Sequence, residues 1–295
     1  MAAPESEMPE PERPDPEGPD PERPEPERSD PERPEPTAYD NAEFIPGGPG
    51  YFALWEARAA AFREGARGRL GLPCGVHPRE AFDLFEPRGA PAGLFVFLHG
   101  GFWRMGDRGL WSHLAAGPVA RGWAVAIPSY PLAPEVRVAQ ITGSIRRALP
   151  RMAEAAAGPI LLAGHSAGGH LALRMLAPDA GLPAAVRARI AGVLALSPLG
   201  DLAPLIGLPM NADLRIDPAE AAAESPIRQP PPDRPVRIAV GAQERPAFLD
   251  QARRLAGAWP YATLEILPWR HHFDVIEPLE DPGSPLLRAV LAMAG

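Results

Sequence analysis

A serine lies between two glycines at 164–168, where the sequence reads GHSAG. The apolar run PILLAG at 159–164 precedes it and is typical of a buried strand, while a helical pattern covers 168–176. A strand that turns directly into a helix through this pattern lifts the serine hydroxyl off the sheet, and the glycines avoid clashes in the tight turn. The context therefore predicts that Ser166 is a nucleophile for acyl carbons, whereas an accidental glycine-serine turn would lack both flanking elements.

Two histidines, His165 and His170, flank this serine. We expect His165 to pack beneath the turn. His170 follows one helical turn later, on a rigid helix that would aim it poorly at the serine hydroxyl. Both histidines are therefore predicted to be structural.

A second motif, HGGFW at 99–103, follows another apolar run. Acyl transfer develops negative charge on the carbonyl oxygen, and glycines allow backbone N–H groups to approach that oxygen closely. The predicted donors are the N–H groups of Gly100, Gly101 and Ala167, the last of which directly follows the serine. His99 is expected to stabilise this loop rather than to act as a base.

The base and the acid should come from the part of the chain after the serine. His271 and His272 are the only histidines there, and spacing alone does not choose between them. The acid is expected after the preceding apolar run, VRIAVG at 236–241, where Glu244 is the first carboxylate. Such a carboxylate would hold the imidazole in one tautomer and stabilise its protonated form. Asp201, one predicted strand earlier, is the alternative acid.

Short apolar runs alternate with helical patterns over most of the chain. The predicted strands span 81–86, 93–100, 123–130, 159–164, 193–198, 236–241 and 262–268, and the predicted helices lie around 51–64, 109–121, 138–156, 168–176, 246–258 and 284–294. This alternation predicts an α/β fold with a mostly parallel sheet covered by helices on both faces. The site of such a sheet lies off the carboxyl ends of its strands, where each motif above falls.

These motifs resemble those of the kynurenine formamidase (arylformamidase) branch of the α/β-hydrolases, close to the hormone-sensitive-lipase-like esterases. HGGFW at 99–103 is similar to the HGGxW of that branch, SYPLAPE at 129–135 to DYRLAPE with Ser129 in place of the acid, and GHSAGGH at 164–170 to the nucleophile segment. GAQE at 241–244 and FLDQ at 248–251 are similar to the acid segment, with glutamate where aspartate is usual, and HF at 272–273 matches the histidine segment. The last match favours His272 over His271.

The resemblance covers most of residues 39–295 and implies an α/β-hydrolase fold with a Ser166, His272 and Glu244 triad. It also implies hydrolysis of N-formyl-L-kynurenine to kynurenine and formate, without a cofactor. A carboxylesterase for small acyl esters is the alternative within the fold. A protein that binds a small ligand without turnover is the alternative from another class, which the intact set of Ser, Glu and His disfavours.

Several large side chains fall in loops that could line a cleft at the strand ends. Phe102, Trp103, Tyr130 and Met210 are predicted to bind the substrate, together with Trp111. A flat aromatic acyl donor would suit such a pocket better than a long aliphatic chain.

The first 36 residues differ in composition from the rest of the 295-residue chain. They contain 12 of the 41 prolines and carry a charge of −9, against −8 for the whole chain, so that residues 37–295 sum to +1. Because residues 11–36 contain no apolar residue to bury, this Pro/Glu-rich acidic tail is expected to be disordered, and residues 37–295 are expected to form one domain.

The cysteine, lysine and histidine content of the chain limits the compartment, the partners and the metal sites that we expect. The single cysteine, Cys74, excludes an internal disulfide, and we expect a cytoplasmic protein because the sequence shows neither a secretory signal nor an apolar run of about 20 residues. The chain has no lysine and no basic stripe, so neither nucleic acid nor a membrane is an expected partner. The histidines do not have zinc-site spacing, and no metal is expected. The partner is a small-molecule substrate, and the oligomeric state is left open.

Overall fold

The computed structural model describes residues 34–295. The predicted tail at 1–36 therefore lies outside the described residues, except for its last three positions. Within the described part, no helix combines the length and apolar character needed to cross a bilayer.

The described chain alternates strands and helices from residue 51 onwards. The strands are β1 (Gly68–Pro73), β2 (Ala81–Phe85), β3 (Leu94–Leu98), β4 (Ala124–Pro128), β5 (Ile160–His165), β6 (Ile190–Leu196), β7 (Val236–Gly241) and β8 (Ala262–Leu267). The α-helices are α1 (Tyr51–Gly65), α2 (Ala116–Ala120), α3 (Val138–Ala153), α4 (Ala167–Arg174), α5 (Ala184–Arg189), α6 (Asn211–Leu214), α7 (Pro218–Glu224), α8 (Pro246–Ala258) and α9 (Pro285–Leu291).

These strands form one sheet in the order β1-β2-β4-β3-β5-β6-β7-β8. The pairs β1–β2 and β2–β4 are antiparallel, and all other pairs are parallel. The predicted mostly parallel sheet is confirmed.

Strands β2 to β7 are buried on both faces, as their continuous apolar runs predict, whereas the edge strands β1 and β8 are partly or largely exposed. Along β3, the side chains of Leu94, Val96 and Leu98 join one hydrophobic cluster, and those of Phe95 and Phe97 join the other. Helices α3, α4 and α8 pack in the first cluster, whereas α1 and α9 pack in the second. The sheet is thus the middle of three layers.

The register of the parallel strands brings their carboxyl ends to one edge. Leu98 at the end of β3 pairs with Gly164 of β5, and His165 of β5 pairs with Leu196 at the end of β6. Gly241 at the end of β7 pairs with Leu267 at the end of β8. The loops that leave these strands therefore begin side by side, although they are far apart in sequence.

Several elements differ from the sequence-based expectation, and among them the short helices α5, α6 and α7 were not predicted. Strand β1 was not predicted, because it is an exposed edge strand without an apolar run, and its pairing is irregular between Arg69 and Leu72. The helix predicted around 109–121 is divided into a 3₁₀ helix at Arg108–Ala115 and the short helix α2. Asp107 caps the first of these by accepting a hydrogen bond from the N–H of Gly109 at 2.9 Å.

Candidate active site

Ser166 occupies a strained turn between β5 and α4. Its φ of 55° and ψ of −118° lie outside the regions that residues with side chains ordinarily adopt, and its N–H donates to the carbonyl of Leu196 at 2.8 Å. The turn needs its two glycines. A Cβ on Gly164 would lie 2.1 Å from the carbonyl oxygen of Gly168, and one on Gly168 would lie 2.0 Å from that of Leu98. These contacts explain the glycines of the GHSAG motif.

The hydroxyl of this serine opens onto a cavity of about 350 Å³ at the carboxyl edge of the sheet. Ser166 is 2% exposed, and its Oγ has no hydrogen-bond partner among residues 34–295. His272 lines the same cavity. The structure has no hydrogen bond between the two side chains, and in ligand-free sites such bonds often tighten only when substrate binds.

His272 forms a buried pair with Glu244. Its Nδ1–H donates to Oε2 of Glu244 at 2.7 Å, and the ring of Phe248 from α8 packs against it with the centroids 4.1 Å apart. The second carboxylate oxygen, Oε1, accepts hydrogen bonds from the N–H of Gly241 at 2.8 Å and from the hydroxyl of Ser197. Since Nδ1 carries the proton, Nε2 of His272 is the ring atom that can accept one.

Ser197 is a contributor that sequence reasoning missed. It directly follows β6 with a φ of 47°, and its N–H donates to the carbonyl of Ala239 at 2.7 Å. Its hydroxyl reaches Glu244 only because β6 and β7 are neighbours in the sheet. The available signal was a serine at the end of VLALSP, but only the strand order shows which carboxylate it contacts.

The adjacent histidine, His271, has a different environment. Its Nδ1 accepts from the N–H groups of Phe273 and Asp274 at 3.2 and 3.3 Å. Its Nε2 is therefore the protonated atom, which donates to the hydroxyl of Tyr51 at 3.1 Å. His271 stabilises the turn and does not line the cavity, so the structure distinguishes the two neighbours where spacing could not.

Asp201, the alternative acid, lies away from the histidines. It is buried, and its carboxylate accepts from Arg254 Nη2 at 2.7 Å and from the N–H of Ala203 at 3.1 Å. These contacts hold the loop after β6 against α8. Of the two candidate carboxylates, that of Glu244 is the one that contacts His272.

The two histidines beside the serine make backbone contacts. Nε2 of His165 donates to the carbonyl of His272 at 2.8 Å, and that of His170 donates to the carbonyl of Glu224 at 2.8 Å. Burial lowers the pKa of His165 well below its ordinary value and that of His170 to about 4, so both are neutral at neutral pH. Both are structural, as the sequence predicts, but His165 also lines the cavity and positions the backbone of His272.

The HGGFW loop lies directly against the serine turn. A Cβ on Gly100 would lie 3.0 Å from the carbonyl oxygen of His165 and 3.3 Å from Cβ of Ser166. In the described part of the chain, the N–H groups of Gly100, Gly101 and Ala167 have no acceptor. Gly100 and Gly101 line the cavity that Ser166 borders, and Ala167 directly follows Ser166, so these N–H groups are candidate donors to an oxyanion.

Buried contacts hold this loop in place. His99 stacks on Tyr130 with ring centroids 4.3 Å apart, and the hydroxyl of Tyr130 donates to the carbonyl of His99 at 2.7 Å. Burial lowers the pKa of His99 to about 4, so the ring is neutral. His99 therefore stabilises the loop, as the sequence predicts.

The side chains predicted to bind substrate do not all reach the cavity. Phe102 and Trp111 line it. Trp103 is fully buried, with its ring edge-on to His170, because the loop turns back towards the core at this residue, whose φ is 56°. Tyr130 is held beneath the loop, and Met210 is buried in the hydrophobic cluster of α3 and α4. These three side chains do not line the cavity, so the prediction that they bind the substrate is not supported for them.

Other lining residues come from the N-terminal part of the described chain. Phe52 and Trp55 of α1 line the cavity with Phe273, and Asp40 and Glu43 precede α1 on the same wall. The helical pattern at 51–64 indicated that α1 packs on the domain, but not that it borders the site. Among residues 34–295, no cluster of three potential ligand side chains could hold a metal ion.

Comparisons with known proteins agree with this architecture. Residues 95–224 match a family model described as the alpha/beta hydrolase fold. The kynurenine formamidase of Salmo salar is 27% identical over 262 residues, which cover 81% of this chain and 89% of the relative, and that of Danio rerio is 25% identical over 77% and 82%.

One solved structure has a higher sequence identity to this chain than these two relatives have. The chain is 50% identical to a protein from a Silicibacter species that has been proposed to be a thioesterase, with a TM-score of 0.84. The match covers 86% of this chain and 97% of that protein. The chain therefore belongs to the α/β-hydrolase family, in the branch that resembles the kynurenine formamidases.

Proposed function

We propose that the chain is a serine hydrolase that removes the formyl group from aryl formamides of the N-formyl-kynurenine type. The observation that carries the hydrolase assignment is the buried His272–Glu244 pair, whose histidine lines the same cavity as the unpaired hydroxyl of Ser166. A general base held by a carboxylate beside a nucleophile is the arrangement that acyl transfer requires.

In the first step, Nε2 of His272 takes the proton of the Ser166 hydroxyl as Oγ attacks the formyl carbon. The carbonyl oxygen becomes an oxyanion, which the N–H groups of Gly100, Gly101 and Ala167 stabilise. The C–N bond then breaks, and His272 gives its proton to the leaving amine. Glu244 stabilises the imidazolium that exists between these two transfers.

In the second step, water hydrolyses the acyl-serine. His272 takes a proton from the water, whose oxygen attacks the acyl carbon, and the same donors stabilise the second oxyanion. The proton returns to Oγ of Ser166 as formic acid leaves, which then ionises to formate. Neither step uses a metal or an organic cofactor.

The dimensions of the cavity support a small acyl group on an aromatic leaving group. Its volume of about 350 Å³ is near the lower end of ligand pockets, which span about 300–1,000 Å³. Aromatic rings from Phe52, Trp55, Phe102, Trp111 and Phe273 line it and offer flat surfaces to an aryl ring. The similarity to fish kynurenine formamidases supports the same substrate class.

A carboxylesterase acting on small acyl esters is the second candidate. The same triad and oxyanion donors would cleave an ester, whose alkoxide leaves more easily than an amine. A protein that only binds a ligand would not need the unpaired donors beside Ser166 together with the His272–Glu244 pair. The substrate comparison below separates the two enzymatic functions.

Replacing Ser166 with alanine tests the nucleophile. We expect a folded protein whose kcat falls by at least about 10³-fold, because only the oxyanion donors and substrate binding remain. Labelling by a fluorophosphonate should also disappear. Undiminished labelling of Ser166→Ala would remove this serine from the mechanism.

The two adjacent histidines provide a matched pair of variants. His272→Gln should lower kcat nearly as much as the loss of Ser166, because the base is gone. His271→Gln should cost less than about 10-fold, since this ring contacts Tyr51 and the turn backbone rather than the cavity. Steady-state kinetics with one formamide substrate measures both, and the reverse ranking would contradict the assignment.

The acid is tested in the same manner. Glu244→Gln should keep the shape of the site but lose the stabilisation of the imidazolium, a loss on the order of 10⁴ in a well-studied serine protease. Asp201→Asn is the control, because its carboxylate binds Arg254 instead. This control should lower the melting temperature more than kcat, and a crippling effect of Asp201→Asn on kcat would overturn the choice of Glu244.

A substrate comparison tests the specificity. We expect kcat/KM for N-formyl-kynurenine to exceed that for p-nitrophenyl butyrate, because the formyl group is the smallest acyl group and the cavity walls are aromatic. Spectroscopic release of kynurenine and of p-nitrophenol gives the two values. Cleavage of the butyrate without detectable formamide cleavage would assign the protein to the carboxylesterases.

A further inference from the structure

The charged side chains that line the cavity are carboxylates. Asp40 and Glu43 line it, and no arginine is among the lining residues. Neither carboxylate has a basic side chain within 4 Å in the described part of the chain. Arg245 approaches this segment, but its guanidinium donates to the carbonyl of Thr37 and lies over the ring of Phe44, 3.6 Å from the centroid. A ligand in the cavity therefore meets two carboxylates without a salt bridge, of which that of Asp40 is partly buried and that of Glu43 is exposed.

The aromatic side chains that line the cavity also favour a positively charged ligand. Phe52 and Trp55 lie 5.3 Å apart, and Trp55 and Trp111 lie 4.6 Å apart, measured between ring centroids. Phe273 joins the group 5.4 Å from Trp55. These rings pack edge-on or tilted against one another, and Phe52, the most exposed of them, is the ring best placed to offer a face to an ammonium group.

An independent observation shows where the reacting bond would lie. The hydroxyl of Ser166 is unpaired, its residue is 2% exposed, and it borders the same cavity. An acyl group on this hydroxyl leaves the remainder of the substrate to fill the cavity between the aromatic rings and the two carboxylates. The charge of the leaving group, rather than of the acyl group, is what these carboxylates would sense.

We propose that this site selects acyl donors whose leaving group carries an ammonium group, and that it discriminates against anionic leaving groups. The inference rests on the proposed function and deepens it. The α-ammonium group of N-formyl-kynurenine meets this requirement for a cationic leaving group. Its α-carboxylate makes no favourable contact with the carboxylates and aromatic rings that line the cavity. Removing that carboxylate should improve the substrate, and thioesters of polyphosphorylated thiols should be poor ones.

Four aryl formamides with one reacting group form the test. All are 2-formamidophenyl ketones, whose side chain is an ethyl group, an aminoethyl group, the amino acid of N-formyl-kynurenine, or a carboxyethyl group. We expect kcat/KM to be highest for the aminoethyl compound, intermediate for the amino acid and lowest for the carboxyethyl compound. The ratio between the cationic and anionic members should be on the order of 10 at low salt and should fall in 0.5 M NaCl.

The variants Asp40→Asn and Glu43→Gln, singly and together, should reduce this ratio towards 1. Glu56→Gln is the matched control, since it removes the same charge from an exposed position of α1 that does not line the cavity. This control should keep both the activity and the ratio of the parent protein. A ratio that survives in the double variant would overturn the proposal.

Binding separates this proposal from the proposed function. Dissociation constants of the four compounds with Ser166→Ala, measured by calorimetry, do not depend on turnover. The same order of affinity without any formamide cleavage by the parent protein would support charge selection and contradict the formamidase function. Cleavage of all four compounds with equal kcat/KM and equal affinity would support the hydrolase and refute charge selection.

Discussion

The site depends on a carboxylate that has been removed from water. Glu244 is buried, and each of its oxygens is hydrogen-bonded: one to His272, and the other to the N–H of Gly241 and the hydroxyl of Ser197. A buried carboxylate without such partners would be costly. Because these partners come from the ends of β6 and β7 and from the loop after β8, the carboxylate is satisfied only when the parallel strands are in register. The packing of the sheet and the chemistry of the site therefore share one requirement.

Backbone strain is concentrated at the same edge. Ser166, Ser197, Phe102 and Trp103 have side chains but adopt positive φ, which costs of order 1–3 kcal/mol for each residue. Close contacts enforce these conformations, as at Gly168, where even a methyl group would collide with the end of β3. Such strain persists only where the surrounding structure fixes the backbone conformation. Here the loops pack against the hydrophobic clusters on the two faces of the sheet. The cost is consistent with loops shaped for chemistry rather than for stability.

Local motifs were readable from the sequence, but long-range contacts were not. The turn around Ser166 and the loop around Gly100 are each determined by a few adjacent residues, so their spacing predicted their form. The exact role of Ser197 depends on which strands are neighbours, and the direction of Trp103 depends on a backbone turn that composition does not encode. The sequence left His271 and His272 equivalent until the family resemblance was considered, because their difference lies in partners 28 and 220 residues away.

The segment before α1 connects the cavity to the start of the described chain. Tyr39 packs edge-on against Phe248 with ring centroids 5.3 Å apart, and Phe248 in turn lies against His272. Asp40 follows Pro36, the last residue of the Pro/Glu-rich stretch, by four positions. Four residues span at most about 14 Å, so a molecule bound at the end of that stretch would be tethered beside the cavity mouth.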